Sequence, residues 1–128
     1  MKAIVLSGSP KGDLSVTLQY VNFIAKKFPQ HTFQTYHIGE QINKIARDEK
    51  TFQKIMDDVQ ASDAVIWSFP IYAFVIPSQF KRFIELIFEK RAKRSFKNKY
   101  TITLSTSLRF FDHTAHNYLQ GICDDLDM

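Results

Sequence analysis

Two patterns of apolar residues take turns along the chain. Ala3-Ile4-Val5-Leu6 and Ala64-Val65-Ile66-Trp67-Ser68-Phe69 are nearly unbroken apolar runs, as expected of strands buried on both faces of a parallel sheet. Tyr100 to Ser105 alternates cleanly and predicts a third strand. His31 to Ile38 alternates imperfectly, with Tyr36 and Ile38 on one side and Phe33 on the other, and predicts a wetter strand at a sheet edge. Between these runs the spacing changes to three and four. Leu14, Leu18, Val21, Ile24, Ala25 and Phe28 form one helical stripe, ended by Pro29. Phe52, Ile55, Met56 and Val59 form a second, and Phe80, Phe83, Ile84, Ile87 and Phe88 a third, with Pro77 suited to its first turn. Ala115, Tyr118, Leu119, Ile122 and Leu126 form the last, with Asp112 as its N-cap. Gly39 to Asp48 reads as a connector anchored by Ile42 and Ile45.

Strands alternating with helices predict an α/β fold: a doubly wound parallel sheet, three layers deep, joined by right-handed crossovers. Ligands in such sheets lie beyond the carboxyl ends of the strands, where the strand order reverses. The loops expected there are Gly8 to Thr17, Pro70 to Pro77 and Thr106 to Phe111. The first combines a strand end, hydroxyls at Ser9, Ser15 and Thr17, a cation at Lys11 and a helix N-terminus. Free N–H groups and the positive dipole end make that an anion site. The same residues also fit an ordinary strand-to-helix turn in which Ser15 is only the N-cap. The second loop is aromatic and aliphatic, and suits a flat apolar ligand. The third offers Ser105, Thr106, Ser107 and Arg109.

Composition narrows the class. A chain of 128 residues with 45% hydrophobic content and twelve Phe predicts a single domain, 1–128, with a real core. One cysteine excludes an internal disulfide and any all-cysteine metal centre, which favours a reducing, cytoplasmic location. No signal peptide and no membrane-length apolar run is seen. The net charge of +4 comes largely from Lys81-Arg82 and the cluster from Lys90 to Lys99. No aromatic-interleaved motif accompanies that cluster, so a solvated helix end is favoured over a nucleic-acid surface. His113 and His116 share a helix face, and are read as surface histidines rather than metal ligands.

Gly8-Ser9-Pro10-Lys11 with Ser15 and Thr17 resembles the phosphate loop of the flavodoxin-like superfamily, specifically its NAD(P)H-dependent FMN reductase and quinone reductase group. Pro70-Ile71-Tyr72, followed by Pro77-Ser78-Gln79-Phe80-Lys81, resembles the same group's isoalloxazine loop. The resemblance covers essentially the whole chain. It implies that Ser9, Lys11, Ser15, Val16 and Thr17 hold the phosphate of FMN, and that Pro70, Ile71, Tyr72 and Phe74 border the flavin ring. It further implies that Ser105, Thr106 and Ser107 approach the pyrimidine edge. Arg109 is a candidate contact for NADH or NADPH as electron donor. No side chain need act as acid, base or nucleophile, because the flavin carries the chemistry. Loop packing against the helix behind is the competing reading of Tyr72 and Phe74. Two departures stand out: the loop after the fourth strand is not glycine-rich, and Asp13 must point away from any phosphate.

The implied function is electron transfer through FMN to a small acceptor such as a quinone, with no nucleic acid and no membrane as partner. A flavodoxin-type electron carrier, or a non-catalytic flavin-binding interaction protein, is the alternative. A response regulator is excluded because Leu6-Ser7-Gly8 lacks acidic residues, and a P-loop NTPase because Leu14-Ser15-Val16 lacks Gly-Lys-Ser/Thr. The absence of a cysteine cluster excludes the iron–sulfur branch. The flavodoxin-like order 2-1-3-4-5 calls for a fifth strand that is not visible. The domain is therefore expected to be C-terminally incomplete, with the Tyr100 strand at an unprotected edge and the chain a homo-oligomer.

Overall fold

The computed structural model describes residues 1–110 and 112–128. In chain order the elements are β1 (Lys2–Ser7), a 3-10 turn (Gly12–Leu14), α1 (Val16–Lys27), β2 (Thr32–His37), α2 (Ile38–Arg47), α3 (Glu49–Gln60), β3 (Ala64–Ile71), α4 (Ser78–Glu89), a second 3-10 turn (Lys93–Phe96), β4 (Tyr100–Ser107) and α5 (His113–Asp125). The strands form one parallel sheet in the order β2-β1-β3-β4. That is the flavodoxin-like order through its fourth strand. The chain leaves β1 toward β2 and returns to the opposite side of β1 as β3, so the order reverses between β1 and β3.

The connector expected at Gly39 to Asp48 is instead the helix α2. Ile38, Ile42 and Ile45 are spaced by four and three, and all three are buried. Gly39 lets this helix dock on the loop after β1: a Cβ there would lie 2.4 Å from the Gly8 carbonyl oxygen. Asp48 closes α2 and opens α3, where its carboxylate accepts the Lys50 N–H. β3 and β4 run further than the sequence pattern suggests. Pro70 and Ile71 pair with Thr106 and Ser107 at the ends of β3 and β4. Pro70 costs no ladder bond there. The Ser68 carbonyl accepts from Gly8 on the β1 side, and Pro70, two residues on, faces the same way but beyond the end of β1.

The two faces of the sheet are covered unequally. Ile4, Leu6, Val65, Trp67 and Phe69 join the side chains of α2, α3, α4 and α5 in one large core. Trp67 lies there between Phe80 and Phe96, with ring centroids 5.8 and 5.7 Å away. Ala3, Val5, Ala64 and Ile66 on the other face meet Leu18 and Val21 of α1. Leu14 and Phe28, assigned above to the α1 stripe, are exposed, as are Tyr20 and Phe23.

The two edges of the sheet also differ. At the β2 edge Asp58 accepts from Tyr36, from Gln34 at 3.0 Å and from Lys54 at 2.8 Å, with the Lys2 ammonium 3.5 Å away. The β4 edge has no such guard, and Tyr100 and Ile102 are exposed beside it. No fifth strand is present among the described residues. Half of the basic cluster is occupied locally: Arg82 pairs with Glu89, Lys90 with Glu49, Lys93 with Asp127, and Lys99 donates to two backbone carbonyls. Among the described residues no helix is long and apolar enough to cross a membrane. None of their His, Cys, Asp and Glu side chains form a group that could hold a metal ion.

Candidate functional site

Beyond the carboxyl ends of β1 and β3 lies a cleft of about 620 Å³, within the range usual for small-molecule sites. Its lining includes Ser9, Lys11, Ser15, Val16 and Thr17 from the first loop, Pro70, Ile71 and Tyr72 from the second, and Thr106, Ser107 and Arg109 from the third. These come from three separate parts of the chain, and the parallel sheet brings them together.

At the first loop, Gly12 turns the backbone with a positive φ of 52°, and its missing side chain leaves room for the Glu40 carboxylate. Ser15 then adopts an extended backbone as N-cap of α1, its hydroxyl accepting the Leu18 N–H at 3.4 Å. The Ser9 hydroxyl accepts the Lys11 N–H at 3.2 Å. Both oxygens therefore accept from backbone, which leaves both hydroxyl protons for an anion. Ser9, Ser15 and Thr17 are buried, yet all three line the cleft. The first intrahelical bond runs from Gln19 to the Ser15 carbonyl, so the amides of Val16 and Thr17 precede it and point out of the helix end. The cationic Lys11 and Arg109 face a lining without acidic residues. Asp13 is turned away, with its carboxylate 3.3 Å from His37 Nε2.

Phe74 and Ser105 do not line the cleft. Phe74 has a φ of 62° at the tip of a three-residue turn, closed by the Val75 N–H on the Ala73 carbonyl at 2.7 Å. This is the rarer, strained form of γ-turn, and it carries the exposed Phe74 side chain off the rim. Ser105 is removed by strand alternation. Thr101, Thr103 and Ser105 face α5, whereas Leu104 and Thr106 face the α1 layer. His116, expected at the surface, is part-buried with both ring nitrogens engaged. Nδ1 lies 2.8 Å from the Thr103 hydroxyl, Nε2 lies 2.8 Å from that of Ser105, and the ring tilts against Phe69 at 5.6 Å. Asp112 has helical backbone angles and makes no side-chain capping bond. The third loop ends at Phe111, which lies outside the described residues.

Two lining residues escaped the sequence reading. Tyr20 falls one helical turn after Val16 and outside the core stripe, a spacing that points it to the same end of the cleft. Leu108 carries no comparable signal.

A flavin mononucleotide suits this cleft. A single anion cradle at one end matches one phosphate, and the cleft lacks the glycine fingerprint of a pyrophosphate site. Pro70, Ile71, Tyr72, Tyr20 and Leu108 supply apolar wall for a flat ring. Two further hydroxyls, of Ser7 and Ser68, are buried without partners, side by side at the ends of the strands flanking the crevice.

The model of the NADPH-dependent FMN reductase family matches residues 1–128, and the chain belongs to that family. Its fold is shared with FerB, a flavoenzyme NAD(P)H:(acceptor) oxidoreductase from Paracoccus denitrificans: TM-score 0.78 and 21% identity over 98% of this chain and 71% of that one. The apo form of EMOB, an NADH:FMN oxidoreductase, superposes with TM-score 0.78 and 16% identity over 98% and 68% of the two chains. An FMN-dependent NADH-azoreductase from Bacillus anthracis, solved in complex with FMN, gives TM-score 0.71 and 13% identity over 100% and 83%. No curated protein sequence matches the chain.

Proposed function

We propose that the cleft binds FMN and that the protein is an oxidoreductase taking electrons from NADH or NADPH and passing them to a small acceptor of the quinone type. The observation that carries this reading is the joining of a hydroxyl-lined helix N-terminus to an apolar wall at the one place where the strand order reverses. When bound, the flavin supplies the hydride and electron chemistry. The protein's part is to bind and orient. Ser9, Ser15 and Thr17, with the first amides of α1 and Lys11, hold the phosphate, and Pro70, Ile71 and Tyr72 border the ring. Ser107 closes the third side, its hydroxyl donating to the Arg109 carbonyl at 3.1 Å. Arg109, a cation in the cleft lining, attracts the anionic groups of a nicotinamide cofactor.

Anaerobic addition of NADH or NADPH to the FMN-loaded protein tests this. Bleaching of the flavin absorbance, reversed by a quinone, is the expected result. Saturable FMN binding without bleaching by either donor would indicate an electron carrier instead.

A further inference from the structure

We infer that Thr106, at the rim of the cleft, is a positioning residue for the phosphate of the flavin, acting through Thr17, so that it favours the phosphorylated flavin. This rests on the FMN reading above. The observation is the contact between the two hydroxyls, 2.6 Å apart, joining the end of β4 to the first turn of α1. Thr17 is 1% exposed and lines the cleft beside Ser15.

A hydroxyl has one proton to give and two lone pairs to receive with. A phosphate monoester near neutral pH offers almost only acceptors. Thr17 serves it only with its own proton turned into the cleft, and the short contact then requires Thr106 to be the donor. The direction of the chain is thereby fixed, from the Thr106 O–H to Thr17 and from the Thr17 O–H to the phosphate, each bond polarising the next. A threonine in a helix is otherwise divided between two χ1 rotamers, and the Thr106 contact holds one of them. Thr106 is itself firmly placed. The next residue back, Ser105, is held from the opposite face by His116, whose other nitrogen holds Thr103. Thus α5, which contributes nothing to the cleft lining, fixes the strand end that orients a phosphate ligand.

Dissociation constants for FMN and for riboflavin, which lacks the phosphate, are measured by fluorescence titration on wild type, Thr106→Val, Thr106→Ser and Thr106→Ala. Unfolding temperatures without ligand are measured in parallel. The valine and alanine variants are expected to weaken FMN about fivefold to tenfold, the value of one neutral hydrogen bond, with riboflavin changed less than about twofold. Serine is expected to restore FMN binding. In the Thr17→Val background, Thr106→Val should add little. Equal weakening of both flavins, or unchanged FMN affinity, overturns the inference while leaving the FMN reading intact. A wild-type protein that binds neither flavin overturns the FMN reading itself.

Discussion

Ser15 has two tasks that substitution separates. Its oxygen accepts the Leu18 N–H as N-cap of α1, and its proton is free for an anion in the cleft. Replacing an N-cap serine by alanine costs about 1 kcal/mol, and the 3.4 Å length of this bond puts Ser15→Ala nearer ~0.5 kcal/mol. For a domain of this size that lowers the unfolding temperature by roughly 2 °C. Glycine is a tolerated N-cap, so Ser15→Gly should cost only about a few tenths of a kcal/mol. A hydrogen bond to a charged group is worth more, about 1.5–3 kcal/mol, so both variants should weaken FMN roughly tenfold to a hundredfold. Thermal melts followed by circular dichroism give the first quantity, and titration of flavin fluorescence the second. The glycine variant decides the matter. If it melts like wild type and binds FMN equally well, Ser15 is only a cap and the anion cradle is wrongly placed.

Three other outcomes are expected. Tyr72→Ala should weaken FMN by about 1–3 kcal/mol, the usual loss of an aromatic stacked on a base-like ring, with a stability change under roughly 0.5 kcal/mol because the side chain is exposed; the reverse pattern in paired titrations and melts would mean loop packing alone. Lys54, and next Tyr36, hold the Asp58 carboxyl well below the usual carboxylate range, so its contribution is full above the unfolded pKa near 3.9 and fades as pH falls toward the folded value. Urea unfolding should therefore show Asp58→Asn less stable than wild type at pH 6 and the gap narrowing in acid; a gap as wide at pH 2 as at pH 6 refutes this. The unguarded β4 edge, uncharged and flanked by exposed Tyr100 and Ile102, should drive concentration-dependent self-association, reduced by Ile102→Lys; light scattering that reports a constant monomer mass across a concentration series would contradict it.

The parts of the fold legible in the sequence are those fixed by local pattern. Buried strands such as Ala3–Leu6 declare themselves because both faces need apolar side chains. The strand, hydroxyl-rich loop and helix start announced the first wall of the cleft for the same reason. Helix α2 was hidden because only Ile38, Ile42 and Ile45 mark it, among polar residues and beside a glycine whose use is a tertiary contact with Gly8. Ser105 and Thr106 could not be sorted from sequence, since alternation says only that they face opposite ways. Which one meets the cleft depends on where α1 lies. His116 read as a surface residue because the row it bonds, Thr103 and Ser105, is polar, and a polar row facing a helix looks like one facing water.

The unequal covering of the sheet bears on how the protein breathes. α1 is held to its face by the apolar side chains of Leu18 and Val21 and the Thr17–Thr106 hydroxyl contact, while the opposite layer shares a core of interlocked aromatics. Local opening is cheapest where buried apolar contact is least, so α1 should be the first segment to detach transiently from the native molecule. Its amides should exchange with deuterium well before those of α3 and α4. The anion cradle is built on the N-terminus of that same helix. A phosphate-bearing ligand therefore binds only while α1 is closed, and each tenfold excess of ligand over its dissociation constant should slow α1 exchange by about tenfold. The ligand becomes in effect the last structural member of the thin layer, and its departure reopens that side of the molecule.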